Sequence, residues 1–150
     1  MSYPIADYIL QDVENTLRQV QKVSGYNCNF TVERESQTGN SPRDQLVVVY
    51  PGEPEPLENP ALGHDEYNFP IGIRCYAIKS EMSATPIDRA MMLMAADVRK
   101  SLRRDLHRGG YALNTRFNAK DEYLVAESPK SVLVMVTVHY RTLWDDPYNQ

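Results

Sequence analysis

The sequence lacks the signatures of most enzymes and of membrane-spanning proteins. Its 150 residues include two cysteines, Cys28 and Cys75, which form no CxxC pair and sit in alternating apolar stretches. That placement argues against a zinc ribbon or a disulfide framework, and for two small buried hydrophobes in a reducing compartment. No apolar run approaches the roughly 18 residues that a membrane span requires. Met1 to Leu10 has neither a basic start nor a long apolar stretch, so no secretory leader is expected. Positive charge is in deficit, with 16 basic residues against 20 acidic and a net charge of −4. The chain as a whole is therefore not a basic nucleic-acid binder. It contains no G-x-S-x-G, no glycine-rich phosphate loop and no H-E-x-x-H. A soluble cytoplasmic protein without catalytic, cofactor or metal sites is the expectation.

The chain is long enough to bury a real core, about 68–70% of its unfolded surface, as one domain spanning residues 1–150. Ile5, Tyr8, Ile9, Val13, Leu17 and Val20 recur at helical spacing, after Pro4 and before a Ser24-Gly25 stop. Tyr26, Cys28, Phe30 and Val32 alternate with polar residues as a half-buried strand does. ESQTGNSPR, residues 35–43, reads as a hairpin loop into a second strand, Leu46 to Tyr50. PGEPEPLENPALGHDE, residues 51–66, holds four prolines and two glycines among its acids and reads as an exposed loop. Tyr67 to Ala77 alternates as a third strand, with Pro70 and Gly72 pointing to an edge position or a bulge.

TPIDRAMMLMAADVRKSLRRDLHRGG carries the strongest helix signal. Thr85 as cap, Pro86 in the first turn and Asp88 as capping-box acid mark its start. Ile87, Met91, Met94, Ala95, Val98, Leu102 and Leu106 form one stripe, and Gly109-Gly110 ends it. Arg103, Arg104, His107 and Arg108 suit the negative end of the helix dipole. Tyr123 to Ala126 reads as a short strand and Ser131 to Arg141 as a long one. Its Val132, Val134, Val136, Val138 and Tyr140 lie on one face and Leu133, Met135, Thr137, His139 and Arg141 on the other. The expected fold is α+β: a mostly antiparallel sheet with two helices on one face, in the order α-β-β-β-α-β-β.

Two features are odd for a self-contained monomer. The last strand exceeds the usual length and is apolar on both faces near its start, and it leads into an aromatic tail, residues 142–150, expected to be extended. A basic cluster of Arg99, Lys100, Arg103, Arg104 and Arg108 faces an otherwise acidic chain. It reads as a solvated helix face, as a head-to-tail contact with an acidic loop of a neighbouring copy, or as the lining of a channel carrying DNA. Candidate interface residues are Trp144, Asp145, Pro147 and Tyr148 in the tail and Glu53, Glu55, Asp65 and Glu66 in the loop. His64 with Asp65 or Glu66 is the one arrangement with enzymatic potential, and a small ligand-binding module is a further alternative.

Pro86 to Arg108, then Gly109-Gly110-Tyr111, a polar loop, a strand and VLVMVTVHYRTLWDDPYNQ resemble the C-terminal half of tail terminator and tail completion proteins of tailed bacteriophages. The resemblance rests mainly on Asp97 to Tyr111 and Val134 to Tyr148. It implies a virion protein without enzymatic activity, assembled in the host cytoplasm. Its six copies would form a ring that caps the tail tube and gives the neck its docking surface. The implied partners are further copies of the chain, the tail tube protein, a sheath, and neck or connector proteins, with non-specific DNA passage through the lumen. Another connector ring of the neck is the nearest alternative.

Overall fold

A computed structural model describes residues 3–35, 45–58, 62–78, 85–127 and 129–150. Its backbone is a pair of strands, β4 (His64–Tyr76) and β7 (Ser131–Leu143), antiparallel from His64 opposite Leu143 to Tyr76 opposite Ser131. β2 (Leu46–Pro51) lines the other side of β4, and β1 (Thr31–Arg34) lies outside β2. β5 (Asn114–Phe117) and β6 (Glu122–Leu124) pair in turn with the free side of β7. A two-residue strand, β3 (Glu55–Pro56), continues the β2 side of β4.

Helices α1 (Ile5–Arg18) and α2 (Ile87–Arg103) cover one face of this sheet. Val132, Val134, Val136 and Val138 of β7 are wholly buried beneath them, with Ile71, Ile73 and Cys75 of β4 and Val47 and Val49 of β2. Each such side chain is worth about 1.5–3 kcal/mol of transfer free energy, so this layer supplies most of the driving force for folding. The fold is α+β with the expected order, to which β3 and β5 are short additions. Both cysteines are free and buried.

Several expected local features come out differently, each for an identifiable reason. The strand expected from Tyr26 is confined to Thr31–Arg34. Asp97 of α2, 1% exposed, takes the Asn27 and Cys28 backbone N–H groups at 2.9 Å each, so those donors serve a helix side chain rather than a ladder. The expected hairpin is not one, because β1 and β2 pair in parallel, Thr31 opposite Leu46. A parallel pair requires a crossover, and residues 36–44 of that connection lie outside the described residues. α1 ends at Arg18; Gly25, at φ 92°, closes a separate 3-10 turn over Lys22–Ser24.

β4 is central rather than at an edge. Its Pro70 is tolerated because β2 ends at Pro51 opposite Ile71, just before the missing donor would be needed. Between that pair and Glu55 opposite Asn68, residues 52–54 face only Phe69 and Pro70, which is the one-residue excess of a bulge, carried on the partner strand. Gly52 makes the close approach there, donating to the Pro70 carbonyl at 2.8 Å. The loop expected over 51–66 shrinks accordingly, because β3 and the start of β4 take residues at both ends.

The extended tail expected at 142–150 is a compact hook instead. Thr142 and Leu143 remain in β7, and the chain then folds back, with Leu143 N–H donating to Asn149 O at 2.8 Å. Trp-Asp-Asp-Pro-Tyr is suited to this turn. Asp145 takes the left-handed region, φ 56°, which aspartate tolerates. The Asp146 carboxylate accepts from Tyr148 N–H and Asn149 Nδ2 at 3.1 and 2.7 Å. Pro147 then presents its carbonyl to the Ile5 N–H at 2.9 Å, satisfying a donor at the start of α1.

Candidate interfaces: an acidic aromatic sheet end and a basic helix stripe

β3, β4 and β7 bring most of the candidate interface residues to one end of the sheet. Asp65 sits opposite Thr142 and Glu66 opposite Arg141, while Glu55 lies across from Asn68 on the other side of β4. The hook is tied to this end by Trp144 N–H on Gly63 O at 3.1 Å and by Asp145 N–H on Asp65 Oδ2 at 3.0 Å. Glu53 lies in the short β2–β3 connection and is exposed. Among the described residues, the carboxylates of Glu53, Glu55, Glu58 and Asp145 have no hydrogen-bond or ion-pair partner, whereas Glu66 faces His139 at 3.5 Å.

Apolar groups project from the same end. Trp144 is 70% exposed and Leu62, beside Gly63, 99%, with Tyr148 and Leu143 partly exposed. A large amphipathic ring held in the open by a hydrogen-bonded turn is a ready anchor for a partner. Leu62 and Glu58 were not singled out in the sequence; nothing in PALGHD distinguishes a displayed leucine from a buried one. Pro147 is exposed as well, while its carbonyl engages α1.

The basic cluster divides in two. Arg108 leaves it altogether: it is 0% exposed, faces Asp12 at 3.4 Å and donates from Nη2 to Leu102 O. Its left-handed backbone, φ 47°, followed by Gly109 and Gly110 at 69° and 94°, turns the side chain inward beneath α1. Burial pulls its guanidinium below the usual arginine value, against the opposing pull of Asp12 and Asp105. Burial also pushes Asp12 up, with Arg108 lowering it and Asp105 raising it. Asp105 is held below the usual carboxylate value chiefly by Gly109 N–H, against the raising effect of burial, and also by His107 N–H.

The remaining four cations lie along the surface of α2 against two aromatic rings. Arg99 is compensated, binding Asp121 and the Asn118 carbonyl at 2.6 Å each. Lys100 and Arg104 flank the Tyr26 ring at 4.9 and 5.8 Å; Lys100 donates to Gly25 O and Arg104 to the Tyr26 hydroxyl. Arg103 lies over Phe117 at 5.3 Å. Such ring contacts are worth about 0.5–1 kcal/mol each at an exposed site and hold the side chains in place without neutralising them. Lys100, Arg103 and Arg104 have no carboxylate partner among the described residues. Tyr26 and Phe117 were not read from the sequence as partners of this stripe.

Neither helix covers the second face of the sheet. Tyr50, Gly72, Leu133, Met135, Leu124 and Arg74 line a groove there of about 360 Å³. His64, Asp65 and Glu66 take separate partners: Asp65 lies on the opposite face from the other two and is committed to the hook, Glu66 faces His139 at 3.5 Å, and His64 Nδ1 lies 3.4 Å from Leu62 O. No group of three metal-ligating side chains occurs among the described residues, and no helix there is long and apolar enough to cross a membrane. A comparison with known proteins finds no family model that matches the chain and no curated protein similar to it.

Proposed function

We propose that the chain is a structural virion protein. In this reading its copies form a ring, six-membered as in the tail terminators it resembles, that caps a phage tail tube and offers the docking surface of the neck. The role is architectural rather than catalytic. The partners are further copies of the chain, the tube protein, a sheath where one exists and connector proteins, and the site of action is the assembled virion.

The observation that carries this reading is the acidic sheet end with its displayed Trp144 and Leu62. Exposed apolar anchors fixed on strand ends and rimmed by unpaired carboxylates suit contact with another protein. Supporting it, the two stretches that carry the resemblance form one continuous piece of the fold. Gln150 Nε2 reaches Tyr111 O at 2.5 Å, and Leu113 N–H donates to His139 O at 2.7 Å, joining the glycine turn after α2 to the last strand and hook.

Electron microscopy of the purified chain, alone and mixed with tail tubes of the phage that encodes it, tests the proposal. Rings with axial symmetry seated on tube ends are expected. Particles without symmetry that leave every tube end bare would overturn it. A second reading, a small-molecule binder, is favoured only by the 360 Å³ groove. It requires saturable binding of an apolar ligand that Met135→Lys abolishes.

A further inference from the structure

We propose that the uncompensated cations at the C-terminal end of α2, Lys100, Arg103 and Arg104, receive the acidic sheet end of a second copy, built from Glu55, Glu58 and Asp145 with Trp144. This rests on the ring reading and specifies its contact. The two surfaces are complementary in charge, and neither is satisfied internally: three cations without carboxylates on one, and three carboxylates without cations on the other, among the described residues.

They do not meet within one chain. Arg99, on the stripe, binds Asn118 O, and Asn118 N–H binds Met135 O, so the stripe adjoins the middle of β7. The hook begins after Leu143, eight residues further on, which is about 27 Å along an extended strand, and Glu55 lies level with His139, four residues or about 14 Å on. A contact between two different surfaces of identical chains is heterologous, and it closes into a ring when the rotation between copies permits. Trp144 supplies what charge alone does not, since exposed ion pairs contribute only about 0–1 kcal/mol each.

Nucleic acid is a poorer occupant. The rings that would stack on bases, Tyr26 and Phe117, are covered by Lys100, Arg104, Arg99 and Arg103. Three free cations would neutralise about three phosphates, a salt slope of only about −2.7.

Sedimentation velocity across a concentration series tests the contact on four proteins: wild type, Arg103→Glu/Arg104→Glu, Glu55→Lys/Glu58→Lys, and the chain carrying all four changes. Neither glutamate carboxylate makes an internal ion pair or hydrogen bond among the described residues, and thermal unfolding checks that each variant folds. If the arginine reversal melts the helix end, Arg103→Gln/Arg104→Gln replaces it. The wild type is expected to assemble, each reversal to raise the concentration at half-assembly at least tenfold, and the fourfold variant to recover assembly. A wild type that assembles alongside reversals that assemble equally well overturns this contact and leaves the ring standing. A wild type that is monomeric at every concentration overturns this contact, and the ring reading is then decided at the tube ends. Reversals that abolish retention of labelled duplex DNA while leaving assembly intact make a polyanion the occupant instead.

Discussion

The turn after α2 holds an ion pair in which Asp12 faces the guanidinium of Arg108 at 3.4 Å. Placed after a run of basic residues at a helix end, Arg108 reads as one more surface cation, yet it is the largest wholly buried side chain among the described residues. The cause is local: only a left-handed turn at Arg108-Gly109-Gly110 directs the side chain back toward Asp12. Removing one member of such a pair strands a charge. Asp12→Asn is expected to destabilise by about 3 kcal/mol, the low end for a broken buried pair because Asp12 keeps some solvent contact. Adding Arg108→Met should recover most of that loss, and denaturant unfolding of the single and double variants measures both. Asp105 gives a pH signature to the same turn. Its native pKa is depressed, so its charge stabilises the fold above the unfolded value of 3.8 and ceases to do so as pH falls through the native one. The stability gap between wild type and Asp105→Asn should therefore be present at neutral pH and close in acid.

At the scale of elements, periodicity was a sound guide wherever a segment has one buried face. The stripe of α1, that of α2 as far as Leu102 and the valine face of β7 are buried as their spacing implies, but α2 ends at Arg103, short of the expected Gly109-Gly110 stop, and Leu106 beyond it is exposed. It failed where backbone donors found side-chain partners, as Asn27 and Cys28 did with Asp97, since nothing local in the sequence announces a carboxylate seventy residues away. It failed again at β5, where Asn-Thr-Arg-Phe has too little apolar alternation to be seen. Pairing direction was illegible for a related reason, because a strand's pattern records which face is buried and not which way its neighbour runs. The bulge opposite Pro70 leads to a direct test. A Cβ on Gly52 would lie 2.8 Å from Pro70 Cγ and 2.9 Å from its carbonyl oxygen, so Gly52→Ala should destabilise by about 1–3 kcal/mol, read from a shifted unfolding midpoint. The hook makes truncation a misleading probe of assembly, since deleting 144–150 also removes the acceptor for Ile5 N–H. Trp144→Ala is the cleaner variant. It should leave thermal stability within about 0.5 kcal/mol of wild type, as an exposed substitution does, while weakening self-association by about 2 kcal/mol or more.

For the whole molecule, the uneven distribution of charge matters more than its total. A net charge of −4 conceals an acidic sheet end and a basic helix stripe on separate parts of one small chain. Assembly through them should weaken as salt rises toward 1 M, where the screening length falls to about 3 Å, and light scattering across a salt series would register it. The sequence named most of these residues but not their gathering, which depends on β4 and β7 running antiparallel over thirteen residues each. The hydrogen bond from Ile5 to Pro147 has a consequence of a different kind. It holds the start of α1 beside the hook, so a short linker from Asn149 to Tyr3 would join them without crossing the sheet, and new termini can be opened in an exposed connection. Such a permutant moves both ends away from the acidic face and lets an affinity tag or a fluorophore be carried there without standing in the way of a neighbouring copy.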